Sequence, residues 1–142
     1  MKLFEKIDIK FINESNIPVK DLIVSITVLA NKKNNYSLGS LKTDSDGKII
    51  VFRSTIENKI QELKQLYIMD YSSDIDDCKD WIIIKIESKI ELETRSKNME
   101  KYYPENAKML LELSKECSNK SYKPIEIEHE IEDEIEIIVQ NN

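Results

Sequence analysis

The sequence predicts a mainly β protein, two sheets packed as a sandwich, with one late amphipathic helix and a short helix near residues 54–65. Three observations predict it. Apolar and polar residues alternate along most of the chain, which is the strand period, because successive side chains of a strand point to opposite faces. Clusters of Asn, Asp, Ser and Gly interrupt those runs. Helical spacing replaces the alternation in only two stretches. At 142 residues the expectation is a single domain, 1–142, large enough for a real core.

Lys6 to Ile12 sets Ile7, Ile9 and Phe11 against Lys6, Asp8 and Lys10, a first strand with a basic outer edge. Asn13-Glu14-Ser15-Asn16 is a turn cluster, and Pro18 fixes the backbone where the next segment begins. From Leu22 to Ala30 both faces are largely apolar, which belongs at the centre of a sheet. Asn31 to Asn35 is a polar loop and Tyr36 to Lys42 a short strand. Thr43-Asp44-Ser45-Asp46-Gly47 is a turn in which Gly47 supplies the positive φ, and Lys48 to Phe52 returns as a strand. Between Ser54 and Gln65 the period becomes helical at Ile56, Ile60 and Leu63, and Ser54-x-x-Glu57 reads as a capping box. Leu66 to Tyr71 reads as a strand and Asp70 to Asp80 as an acidic loop. Trp81 to Glu93 reads as one long strand, with Ile82, Ile84, Ile86, Ile90 and Leu92 inward and Lys85, Glu87, Lys89 and Glu91 outward. A polar crossing, Thr94 to Tyr103, leads to Pro104, which suits a first helical turn. Glu105 to Cys117 then places Ala107, Leu110, Leu111 and Ser114 on one face, widened by Met109 and Leu113, a helix lying on the sandwich.

The last run, Pro124 to Gln140, is the most regular. Ile125, Ile127, His129, Ile131, Asp133, Ile135, Ile137 and Val139 share one parity, its apolar character broken at His129 and Asp133, and Glu126, Glu128, Glu130, Glu132, Glu134 and Glu136 the other. It is too long for one strand and is expected to divide into 124–131 and 135–140 around a turn at Glu132-Asp133-Glu134. Such a hairpin pairs Ile131 with Ile135 and sets Glu130 opposite Glu136, a like-charge contact that lysines, a basic partner or a cation must relieve. If Lys85 and Lys89 lie on a neighbouring strand, they can supply that charge. The other reading is a simple solvated outer face.

Net charge is −6, with only 2 Gly to cradle phosphates, so unaided nucleic-acid binding is not expected, since it needs a basic footprint. No apolar run is long enough to span a membrane, and Met1 to Asn13 lacks the apolar core of an export signal, so the expectation is a cytoplasmic protein. Cys78 and Cys117 are expected to be thiols, with neither placed to act as a nucleophile. His129, the single histidine, sits on the apolar parity and reads as a core or sheet-edge residue with a hydrogen-bond partner rather than a metal ligand. Asp70, Asp74, Asp76 and Asp77 are the candidate site for a hard cation, against the alternative of a solvated loop. Asp44-x-Asp46-Gly47 has the start of a calcium loop without its later ligands. No cofactor is expected.

Ile9-Lys10-Phe11-Ile12, the turn, and Ile17-Pro18-Val19-x-Asp21-x-x-Val24-x-Ile26-x-Val28 together resemble the opening of transthyretin-like (prealbumin-like) domains. Thr43-Asp44-x-x-Gly47-x-Ile49 is similar to a turn of the same group, which includes the carboxypeptidase regulatory-like domains. The resemblance is carried by residues 7–52 and departs at Ser15-Asn16, where the usual turn Gly is absent. It implies a two-sheet transthyretin-like or Ig-like sandwich. Hydroxyisourate hydrolases of this fold use several His and Arg residues and a C-terminal Tyr-Arg-Gly-Ser, whereas this chain has one His and ends Val139-Gln140-Asn141-Asn142, so no enzyme activity is expected.

The expected function is therefore a non-catalytic accessory or adaptor module. It would bind a protein with a basic surface through an acidic sheet face (Glu126, Glu128, Glu130, Glu136) or an edge strand. The alternatives are a homo-oligomeric structural protein and a small acidic inhibitor or immunity-type protein that plugs a basic enzyme.

Overall fold

A computed structural model describes residues 1–30, 35–66 and 75–142. The order of elements is β1 (Lys6–Asn13), β2 (Ile23–Ala30), β3 (Tyr36–Lys42), β4 (Lys48–Phe52), α1 (Arg53–Leu66), β5 (Cys78–Ile86), α2 (Lys89–Met99), α3 (Pro104–Lys115), β6 (Ile125–Glu130) and β7 (Glu134–Val139). Short 3-10 turns precede β5 and β6. One sheet has three strands, β4-β1-β7, and the other four, β3-β2-β5-β6. All neighbours are antiparallel except β1 and β7, which run parallel.

The alternation builds one core between the sheets. Ile7, Ile9 and Phe11 of β1 meet Val24, Ile26 and Val28 of β2 and Ile82, Ile84 and Ile86 of β5, all fully or almost fully buried. Burial of each such side chain stabilises the fold by about 2 kcal/mol. The doubly apolar β2 lies between β3 and β5, the central position its sequence demands. Helix α1 lies against β3 and β4 and inserts Ile56 and Ile60, so it covers that side of the sandwich. On the other side, β6 and β7 end their respective sheets.

Two buried polar side chains tie connecting segments to the ends of the four-stranded sheet. Thr43, buried in the turn before β4, donates through Oγ1 to Val19 O (2.7 Å) and accepts from Leu22 N (2.9 Å). Asn119, 0% exposed, accepts from Ile23 N at 2.8 Å and donates to Ile23 O and Glu87 O at 3.0 and 2.8 Å. Its amide thus continues the hydrogen-bonding of β2 and β5 beyond their ends.

Several expectations are overturned. Trp81 to Glu93 is not one strand: β5 ends at Ile86, and Ser88 starts α2 with a full capping box to Glu91. Ile90 and Leu92 are therefore helical, Lys89 pairs along the helix with Glu93 (4.0 Å), and the late helical region holds two helices. Ser54 is no cap, because α1 begins at Arg53, whose Nε meets Glu57 at 3.2 Å. Leu66 ends α1 instead of starting a strand, and the remainder of 66–71 lies outside the described residues, as do most of the 31–35 loop and Asp70 to Asp74 of the acidic loop. Within 70–80, Ile75–Asp77 is a 3-10 turn and Cys78 to Asp80 belong to β5. On α3, Ala107, Leu110 and Ser114 are buried, but Met109 is 65% exposed and Leu111 is also exposed, so the covered face is narrower than its apolar pattern. The terminal run does not form a hairpin either. The strands at β6 and β7 exist, but they join different sheets, and the chain crosses between them at Ile131-Glu132-Asp133.

Candidate functional site

The crossing at Ile131 decides where the carboxylates go. Ile131 is fully buried, its N–H donates to Asp80 O at 2.7 Å, and Asp133 O accepts from Asp8 N at 2.9 Å. One side of the connection is thereby tied to β5 and the other to β1. Glu126, Glu128 and Glu130 consequently stay on the outer face of the four-stranded sheet, while Glu136 moves to the outer face of the three-stranded sheet, opposite Lys10. The expected Glu130–Glu136 contact does not form.

Cross-strand partners share a face, so the register of β5 with β6 defines the surface. Trp81 lies opposite Glu130, Ile83 opposite Glu128 and Lys85 opposite Glu126. All three glutamates are exposed, Trp81 is 41% exposed, and Ile83 is half-buried. Lys85 stands where its charge offsets Glu126. Glu128 and Glu130 have an aliphatic and an aromatic residue directly opposite instead, with Lys85 diagonal to Glu128. The adjoining β2 positions are neutral: Ser25 opposite Lys85 and Thr27 opposite Ile83.

Trp81 is the site residue that the charge pattern alone misses. The signal for it is parity, since residues 81, 83 and 85 alternate with the buried Ile82, Ile84 and Ile86. An indole beside two carboxylates suits a guanidinium or ammonium, through the ring face on one side and ion pairing on the other.

Glu136 belongs to a different surface, a recess of about 430 Å³ lined by Asp8, Lys10, Lys48, Glu134, Ile135 and Glu136. Lys48 Nζ lies 3.8 Å from Asp8 Oδ2 there and Lys10 is opposite Glu136, so most of this patch's acidic charge is offset within it.

His129 is half-buried on β6, with Nδ1 2.6 Å from Glu130 O. A carbonyl can only accept, so Nδ1 carries a proton in this arrangement. Of the candidate cation ligands, Asp70 and Asp74 lie outside the described residues. Asp77 falls in the 3-10 turn, and exposed Asp76 pairs with Arg53 Nη2 at 3.1 Å. Asp44 uses Oδ1 to accept from Asp46 N and Lys48 N, both at 2.9 Å, which closes its own turn rather than opening a calcium loop. Among the described residues no group of three or more His, Cys, Asp or Glu side chains is gathered for a metal. Cys78 and Cys117 are both buried and neither is in a disulfide. No described helix is long and apolar enough to cross a membrane.

No protein-family model matches the chain, and no curated protein matches it.

Proposed function

We propose that the chain is a non-catalytic, cytoplasmic accessory module that binds a protein with a basic surface, through the face formed by Glu126, Glu128 and Glu130 of β6 with Trp81 and Ile83 of β5. The observation that carries this reading is the register. It sets an exposed indole and an isoleucine directly beside two carboxylates that have no basic residue directly opposite. Aromatic anchors flanked by charge are what binding hot spots are made of, while the carboxylates steer a cationic partner and fix its orientation. The transthyretin-like reading of the sandwich belongs to the same proposal. Its support is the Pro18-Val19 step ahead of β2 and the Thr43-Asp44-x-x-Gly47 turn between β3 and β4.

The test is affinity capture of partners from the native host at low and high salt, with three baits. Wild type is expected to hold a stoichiometric partner that high salt releases. Glu128→Lys with Glu130→Lys is expected to lose it, and Glu134→Lys with Glu136→Lys, on the other sheet, to keep it. A partner indifferent to the first pair sinks the reading.

A second reading, self-association, has one observation in its favour. The outer face of the three-stranded sheet leaves Ile50, Phe52 and Ile138 exposed among charges of both signs. Light scattering across micromolar concentrations tests it, with Phe52→Lys expected to lower any assembled mass.

A further inference from the structure

Strand β6 ends its sheet, and no described strand pairs with its outer side. The hydrogen bond from Ile131 N to Asp80 O fixes the phase of the ladder. In antiparallel pairs, hydrogen-bonded and non-bonded positions alternate. Ile125, Ile127 and His129 therefore direct their backbone groups towards β5, and Glu126, Glu128 and Glu130 direct theirs outwards. The same three residues thus present a carboxylate on the sheet face and an N–H and C=O on the sheet edge. Glu130 O is already engaged by His129, so Glu126 and Glu128 offer complete pairs.

The inward side of this strand is also unfinished. Ile82, Ile84 and Ile86 of β5 are buried, but Ile125 and Ile127 beside them remain half-exposed at the margin of the core. The edge is bounded at both ends. Tyr122 bridges to Asn141 just before it, and Ile131 turns into the core just after it. What lies between is six residues, the length of an ordinary strand.

We infer that β6 is an acceptor for strand addition, and that its occupant is an extended segment of a partner protein in which cationic and apolar residues alternate. The cationic side chains lie across from Glu126, Glu128 and Glu130, and the apolar ones cover Ile125 and Ile127. The backbone supplies the remaining pairing. Charge decides between this occupant and a second copy of the chain. Two β6 strands centred antiparallel on Glu128 would set Glu126 against Glu130 in both halves and Glu128 against itself, which is destabilising. This inference rests on the acidic-face reading and specifies how that face is engaged.

The experiment titrates the full chain with four synthetic eight-residue peptides, followed by calorimetry. One alternates Lys and Val, one has the same composition in two blocks, and two are alternating peptides N-methylated at either the Lys or the Val positions. The alternating peptide is expected to bind, and the block peptide and one of the two methylated peptides to bind at least about tenfold more weakly, because only one alternate set of peptide N–H groups faces β6. If all four bind equally but Glu126→Gln with Glu128→Gln abolishes binding, strand addition is overturned and the acidic-face reading stands. If none binds, or binding ignores those substitutions, both are overturned.

Discussion

Asn119 shows how much one side chain can hold in place. It satisfies the N–H and C=O of Ile23 and the C=O of Glu87, all in a buried setting. Leaving such groups unpaired costs about 1–3 kcal/mol each, so Asn119→Ala is expected to destabilise the protein by about 3 kcal/mol in urea unfolding. The glycines offer a cleaner comparison. Gly47 has φ +73°, and a Cβ there would lie 2.6 Å from Phe11 O and 2.9 Å from Val19 N, whereas Gly39 has φ +83° with open space around it. Gly39→Ala is expected to cost about 1 kcal/mol, the conformational penalty alone, and Gly47→Ala about 3 kcal/mol because β1 must also shift. Equal melting shifts for the two would show that the close approach at Gly47 relaxes freely. At this scale the turn chemistry of Asp44 and Gly47 was readable from residue type. Asn119 was not, because its partners lie 96 and 32 residues away in the chain.

Among the elements, strands were legible wherever the alternation was strict, and the errors fell where two periods coincide. Ile90 and Leu92 continue the even parity of Ile82, Ile84 and Ile86, so the period of two runs on past its true end. The stop signal was Ser88-Lys89-Ile90-Glu91, which has the same form as Ser54-x-x-Glu57. Only the first is a cap, since Ser88 has extended backbone and Ser54 lies inside a helix. Ser88→Ala is expected to lower stability by about 1 kcal/mol, and Ser54→Ala to leave it nearly unchanged, both read by thermal melting. Helix α2 also anchors by charge: Arg95 reaches Glu87, 8% exposed, at 2.9 Å and Ser40 Oγ at 2.8 Å, tying the helix to the ends of β5 and β3.

For the whole molecule, the sheet assignment of the last two strands was the step out of reach of pattern. A same-parity run is equally compatible with a hairpin and with a crossing between sheets, and only the partners of Ile131 and Asp133 select the crossing. The acidic character of Glu126, Glu128 and Glu130 was legible; its separation from Glu136 was not. The carboxylates also guard the exposed edge against unwanted pairing. Replacing Glu126, Glu128 and Glu130 together by Gln is expected to raise concentration-dependent light scattering at neutral pH, with added salt having a smaller effect of the same sign on the wild type. The parallel pairing of β1 with β7 bears on how the chain reaches this state. Asp8 meets Glu134 and Asn13 meets Val139, so one flank of the smaller sheet must wait until nearly all the intervening chain has been synthesised. Closing so wide a loop is entropically expensive and slow, and until it happens Ile7, Ile9 and Phe11 have only β4 as a sheet neighbour. Until β7 docks, one edge of β1 stays unpaired, and an unpaired strand edge is a site for aggregation.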